Sequence, residues 1–427
     1  MSKSYSLSLP AAILVSINIM FGTGTFINTV IVAKHTGGLG GGLYLLAGVL
    51  MLPLILCIAR LSSMHSQGNF YNFGAMISPF WGFISTWIYF IAKLASASLS
   101  IHVFVTFLRS IVPLLQTVPH LLLDYLIVMF FVLLNLLNTK TGTRIQAFFV
   151  TAKATPLLFA VGAGLYYANI INLAPPHLIW QGIPVALPLV LFCCLGFEAS
   201  CSLSRVIENS KVNAPRAIVI SFTIVVLLAA LYQFLFYASL GTLLTEQTNY
   251  VGAFPALLGK ITPSLKDSLT PLFSLAIASS ALGGAYGIMY SNSWNLFSLA
   301  EQPHLPALHF LKTFNRHQIP YLCVLAEGLV CLLFLTLTQG QQIPLQYTAT
   351  LGSILAYTIS IMALYRSTGS ALSIFGFTTC ITLLLSTINA FLSTSVTPLI
   401  IFASIVLTGI VFFVTTHTLN EKTKQSQ

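Results

Sequence analysis

The sequence predicts an all-α membrane protein of about twelve transmembrane helices, and three observations predict it. Charge is scarce, apolar runs of spanning length recur from end to end, and basic residues favour the loops on one side of those runs. Of 427 residues, 56% are hydrophobic and 6% charged, against roughly 25% charged in a soluble domain. A water-soluble fold could not cover its surface with so few charges, so lipid must solvate most of this chain.

The apolar runs lie at about 9–33, 39–61, 79–108, 122–139, 145–169, 184–204, 216–241, 269–300, 319–338, 344–366, 371–391 and 396–418. Each is near the ~20 residues that carry a helix across a hydrocarbon core of ~30 Å at ~1.5 Å per residue. Barrel strands would be about half as long and would alternate apolar with polar residues. The first run continues past Phe21 to Val32 with no A-x-A site after its apolar core, so it is expected to be a retained span and not a cleaved leader.

Twelve spans put both termini on one side, and the distribution of Lys and Arg assigns that side to the cytoplasm. Lys3, Arg60, Lys140, Arg144, Arg205, Lys211, Arg216, Lys312, Arg316, Arg366, Lys422 and Lys424 fall on the proposed inner side. Lys34, Arg109, Lys260 and Lys266 fall opposite, while Lys93 and Lys153 lie inside spans. The scatter of single basic residues accounts for the formal charge of +10 without a nucleic-acid patch. A bacterial-type inner or plasma membrane fits this bias. The cysteines, Cys57, Cys193, Cys194, Cys201, Cys323, Cys331 and Cys380, sit in or at the ends of apolar runs with no C-x-x-C pair, so they are small packing residues and not metal ligands. No cofactor is expected.

Loops are short, and no soluble domain interrupts the spans. The longest, about 242–268, contains Phe254 to Leu258, a stretch able to form a short helix on the membrane surface or over a vestibule. Two spans carry helix-weakening sequences. The first holds Gly22-Thr23-Gly24-Thr25 and the sixth holds Cys193-Cys194-Leu195-Gly196-Phe197-Glu198. Glycine weakens a helix interior by roughly 1 kcal/mol relative to Ala, and an opened turn in lipid frees N–H and C=O groups that only protein or a cavity can satisfy. A lone Gly-x-Gly is often just a close helix contact. The matched pair is what two five-helix repeats of inverted orientation would produce, with solute bound at the breaks.

Five stretches then occur in one order. Phe21-Gly22-Thr23-Gly24-Thr25-Phe26 resembles the first-helix motif of amino acid permeases of the amino acid–polyamine–organocation superfamily. Gly68-Asn69-Phe70-Tyr71 with Ser78-Pro79-Phe80-Trp81-Gly82-Phe83 is similar to the loop into the third helix, and Phe192 to Glu198 to the broken sixth helix. Ile207-Glu208-Asn209 with Ala214-Pro215-Arg216-Ala217-Ile218 resembles the inner loop after it, and Leu305-Pro306, Phe310, Asn315 and Ile319-Pro320 resemble the loop after the eighth helix. The likeness covers about 10–320 directly. It departs from the family pattern where Gly-Gly-x-Tyr reads Gly68-Asn69-Phe70-Tyr71 and where an acidic-Asn-Pro loop reads Glu208-Asn209-Ser210.

The resemblance implies one transmembrane domain over 1–427, with a first repeat at about 9–169, a second at about 184–366 and two appended helices at about 371–418. It implies a secondary transporter, not an enzyme, that carries an amino acid by proton coupling or exchange without sodium. It places a substrate carboxylate on backbone N–H groups near Gly22 to Gly24 and an amino group on carbonyls near Cys193 to Gly196. Helix-terminus electrostatics favour the same arrangement, since an N-terminus carries about +0.5 charge and free donors and a C-terminus offers acceptors. Phe21, Phe26, Phe192, Phe197 and Tyr286 are the aromatics near the path, and Phe192 or Tyr286 could cap a bound solute from one side. Thr23, Thr25 and Cys193 complete the expected binding set.

Charged residues in lipid are costly and so informative. Glu198, just past the sixth-span break, is expected to be paired or protonated, to support the gate, or simply to hold the break. Lys153, midway along the fifth span, occupies a place where family members use an ammonium in place of sodium between the first and eighth helices, and a buried amine can take and release a proton. Lys93 could pair with Glu198 or face the pocket. Two buried cations disfavour a cationic substrate, which makes a neutral amino acid the first choice. Asp124, Glu208, Glu246, Asp267, Glu301 and Glu421 fall in or beside loops as expected solvated or capping groups, and Glu327 lies within the ninth span. His120 and Asp124 form an H-x-x-x-D spacing of the kind found in membrane acyltransferases, but no second cluster supports catalysis. The expected partners are a small-molecule substrate and the lipid bilayer. Nucleic acid is excluded and a homodimer is left open. Another small organic amine as cargo, or a non-transporting sensor on the same fold, is the alternative.

Overall fold

The computed structural model describes residues 6–65, 68–137, 139–174, 177–394 and 397–425. Lys3, assigned above to the inner side, lies outside the described residues, and of the Glu421, Lys422 and Lys424 side chains nothing is described. Among the described residues there are only isolated bridges and no strands, and eleven helices are long and apolar enough to cross a membrane.

The fourth expected span is the exception in length. It is a helix over His120–Asn135, about 24 Å long at 1.5 Å per residue. Apolarity continues through Leu136 and Leu137, but their N–H groups bond to Leu133 and Leu134 in tight turns and end the helix early. Its partners still run the full height of the ninth span, Tyr321–Thr338. Tyr125 meets Thr336 near one end, and the Leu136 carbonyl accepts from Asn315 beyond the other. These contacts set it alongside the ninth span, as a shorter apolar helix beside the eleven of spanning length.

The first span comprises two helices, Leu9–Met20 and Thr23–Thr36, separated at Phe21 and Gly22. The sixth comprises Ile183–Cys194 and the short Ala199–Ser202, separated over Leu195 to Glu198. Both breaks lie inside the protein, where the freed backbone groups find partners. The third span, Pro79–Ile111, is mostly buried and packs against the eighth, Lys266–Ala300, and the tenth, Gln342–Thr368. Over Leu399–Thr416 of the twelfth few residues are buried, as in a peripheral, lipid-facing helix. Ser78 caps the third span by accepting from the Trp81 N–H at 3.5 Å, with Pro79 following at the first helical position.

Loops define two faces. Residues before the first span pair with the loop after the sixth: the Leu7 N–H donates to Val206 at 2.7 Å and the Glu208 N–H to Leu7 at 2.9 Å. We call this the N-terminal face. On the opposite face, the 242–268 connection carries a helix over Ala253–Ile261. Its buried Phe254 packs against Phe26, Phe236 and Phe273.

Candidate functional site

The two breaks face each other across a narrow cavity of about 10 Å³, room for a single water, lined by Ile19, Met20, Thr23, Gly24, Lys93, Ser96, Ser100, Phe192, Leu195 and Ile288. Small residues permit this approach. A Cβ on Gly24 would lie 2.9 Å from the Phe192 ring and 3.0 Å from Cys193 Sγ. Gly196 has φ +125°, a conformation that only glycine adopts without strain, and a Cβ there would lie 2.7 Å from Ile19 Cγ2.

Each break is held by a buried charge. At the first, Lys153 Nζ donates to the carbonyls of Asn18 and Phe21, both at 2.8 Å, so an ammonium caps the C-terminal end of Leu9–Met20. Ser280 from the eighth span donates to the carbonyls of Phe21 and Gly22 at 3.3 Å. The ammonium thus sits where the first, fifth and eighth spans meet. Asn18 also bonds to Gln146 and donates to the Gly283 carbonyl at 2.8 Å.

At the second break, fully buried Glu198 has three partners. Lys93 Nζ lies 2.5 Å from Oε1, Tyr89 donates to Oε1 at 2.9 Å, and the Gly196 N–H donates to Oε2 at 2.9 Å. The carboxylate is both ion-paired and the anchor of the unwound turn. A buried pair survives only when further hydrogen bonds satisfy its remaining valences, and Tyr89 and Gly196 supply them. Lys93 does both things considered for it, pairing with Glu198 and lining the cavity.

The remaining expected residues divide. Thr23 lines the cavity and donates to Ser100 at 2.5 Å. Thr25 is buried beside the break with a hydroxyl that has no partner among the described residues. Cys193 Sγ, behind Gly24, contacts Tyr44 and Asn28 at 3.4 and 3.5 Å. The Phe21 ring points to Phe26, at 5.8 Å between centroids, and its functional contact is the backbone carbonyl. Phe197 packs against Phe222 and Tyr357, outside the cavity. Tyr286 is not brought to the breaks. Its ring packs against Phe131 of the fourth span and Phe149 of the fifth. The reason is helical phase: Gly284 and Ile288 turn toward the first span and the cavity, and a residue two positions from either points about 200° away.

Toward the N-terminal face, Arg205 pairs with Glu301 at 2.6 Å and lies over the Phe297 ring at 4.9 Å. Toward the opposite face, Phe26 packs on Tyr232 and on Phe254 of the Ala253–Ile261 helix.

Sequence reasoning missed Tyr89, Ser96, Ser100 and Ser280. The signal was present: Tyr89, Lys93, Ser96 and Ser100 recur at helical spacing and form one polar stripe along the span. One acid also differs from expectation. Asp124, expected to be solvated or capping, is fully buried because His102 of the third span reaches it at 2.8 Å. Glu327 is fully buried, and neither of its carboxylate oxygens has a partner among the described residues.

Residues 7–425 match the profile of the family described as amino acid permease. Asc-type amino acid transporter 1 of Homo sapiens is 25% identical over 322 residues, which cover 71% of this chain and 60% of that protein. An uncharacterized protein of Methanocaldococcus jannaschii is 30% identical over 195 residues, covering 42% of this chain and 41% of its own length. The chain thus spans at most about 60% of the length of these curated relatives. A match over nearly the whole chain, on a bundle of apolar helices with its first and sixth spans broken around a buried cavity, makes this a multi-pass integral membrane protein that belongs to the amino acid permease family of membrane transporters.

Proposed function

We propose that this protein carries a neutral amino acid across a membrane, without sodium, by proton coupling or by exchange. The observation that carries this reading is the pair of opposed helix breaks around one cavity, with Lys153 seated on the carbonyls of the first. The N-terminal end of Thr23–Thr36 has no side-chain cap, and the first N–H groups of a helix lack intrahelical partners, so it can receive a carboxylate. The last carbonyls of Ile183–Cys194 can receive an ammonium.

Sodium independence rests on the chemistry of Lys153. A cation coordinated by carbonyls between the first and eighth spans is what a sodium ion would be, and the ammonium already fills that role. Charge at the site favours a zwitterion. Glu198 neutralises Lys93, so among the described residues Lys153 is the cation at the site without a carboxylate. The repeats at about 9–169 and 184–366, the cytoplasmic termini and the plasma or inner membrane belong to the same proposal. Broken first and sixth spans and the basic bias of the N-terminal face support it.

The test is uptake of a panel of radiolabelled amino acids into proteoliposomes, with and without an inward pH gradient, with choline in place of sodium, and with or without internal amino acid. Uptake raised by the gradient in choline indicates proton coupling, and uptake only into preloaded vesicles indicates exchange. Uptake that requires sodium would overturn the reading.

A further inference from the structure

A second cluster of ionisable side chains lies away from the cavity, on the face opposite the N-terminal segment. Its members are His102 of the third span and His120 and Asp124 of the fourth. The H-x-x-x-D spacing puts His120 and Asp124 one helical turn apart on one face. The two imidazoles stack with centroids 4.0 Å apart, and one ligand atom from each of the three residues lies within 4.8 Å of the others. The cluster sits at the first turn of the His120–Asn135 helix, beside the turn that joins the ninth and tenth spans. There Gly340, at φ +70°, lies so close to the His102 ring that any Cβ would collide with it. That turn reads Gln339-Gly340-Gln341-Gln342, so the cluster borders water and not lipid.

One contact decides what the cluster is for. Asp124 is fully buried, and only its Oδ2 is satisfied, by His102 Nδ1 at 2.8 Å. Asp124 Oδ1 and His120 Nε2 face each other at 3.8 Å, and neither has a hydrogen-bond partner among the described residues. That separation is too long for a hydrogen bond. It fits two bonds of about 2.0–2.2 Å to one shared ion. Two imidazoles and one carboxylate are a donor set for zinc and related first-row cations, and a poor one for calcium or magnesium, which take oxygen ligands. The His side chains are 18% and 24% exposed, which leaves a way in and room for a water as a fourth ligand.

We propose that His102, His120 and Asp124 form a binding site for one zinc-like divalent cation on the face opposite the N-terminal segment. The ion fastens the third span to the fourth. Because His102 is two residues past Ser100, it also restrains the helix that forms one wall of the cavity. The site stands apart from the transport reading, and its test does not need transport.

Tag-free full-length protein in detergent is titrated with zinc against a chromophoric chelator, and the zinc-loaded protein is measured by zinc K-edge X-ray absorption. The expected result is one saturable equivalent with nitrogen and oxygen neighbours at about 2.0–2.2 Å and imidazole scattering. Asp124→Asn and His120→Gln each weaken binding by about 10–100-fold or more, at least the loss that removing an outer-shell partner brings. His309→Gln, on the other face, leaves it unchanged. If Asp124→Asn does not fold, His120→Gln, at the partly exposed edge of the cluster, carries the test. Absence of saturable binding, or binding indifferent to His120→Gln, overturns the proposal.

Discussion

The two helix breaks use opposite charges, and the contrast explains why both are needed. At the first, a cation from another span satisfies carbonyls: Lys153 holds the backbone of Asn18 and Phe21. At the sixth, an anion from the break itself satisfies an N–H: Glu198 holds Gly196, two residues back, and is in turn held by Lys93 and Tyr89. The first break therefore depends on the fifth span for its charge, whereas the sixth supplies its own carboxylate and depends on the third span for that carboxylate's partners. In both, the charge occupies one side of the break and leaves a helix end of the other polarity toward the cavity. That division suits the proposed zwitterion and leaves few backbone groups unpaired in lipid.

The largest effect is expected from breaking the ion pair. Glu198→Gln leaves Lys93 charged and buried without a counter-ion, which costs about 3–5 kcal/mol and lowers the melting midpoint of the detergent-solubilised protein sharply. Replacing both partners, with Lys93→Met and Glu198→Gln together, recovers most of that stability but not uptake. A double variant as unstable as the single one would contradict the pairing. Gly196→Ala comes next. It forces an L side chain to φ +125° against Ile19, at about 1–3 kcal/mol, and reduces uptake roughly tenfold or more.

Gly24→Ala acts more gently, because its Cβ meets the edge of the Phe192 ring, which can shift. About 1 kcal/mol of crowding should raise the half-saturation concentration several-fold while the maximal rate changes less. Tyr286→Phe sharpens the comparison from the other direction. Its hydroxyl has no partner among the described residues and lies away from both breaks, so uptake should stay within about twofold of the parent. A large loss would move Tyr286 back toward the substrate.

Most of the fold was legible because lipid imposes a length and a composition on every span. The fourth span, His120–Asn135, was legible as an apolar helix but not in its end, since Leu136 and Leu137 are as apolar inside the helix as in the turn that closes it. The breaks were legible because Gly22, Gly24 and Gly196 weaken helices locally. What held them was only partly so. Lys153 and Glu198 stand out as charges in apolar runs, but pairing of Glu198 with Lys93 is a contact between the sixth and third spans that no local signal fixes. Tyr286 illustrates the opposite limit: an aromatic in the right glycine-rich segment faces away because helical phase, and not sequence neighbourhood, decides which side chains reach the cavity. Asp124 was misjudged for a related reason, as its partner His102 lies 22 residues earlier on another span.

The most direct test of the account compares parent protein with Lys153→Ala in proteoliposomes, following uptake of a labelled neutral amino acid in sodium-free buffer and again after sodium is added. The account predicts uptake by the parent that ignores sodium, and near-complete loss in the variant, whose Asn18 and Phe21 carbonyls lose their cation. Restoration of the variant by sodium would strengthen the assignment of the ammonium as a fixed substitute for that ion. Parent uptake that depends on sodium, or a variant that transports like the parent, would contradict it.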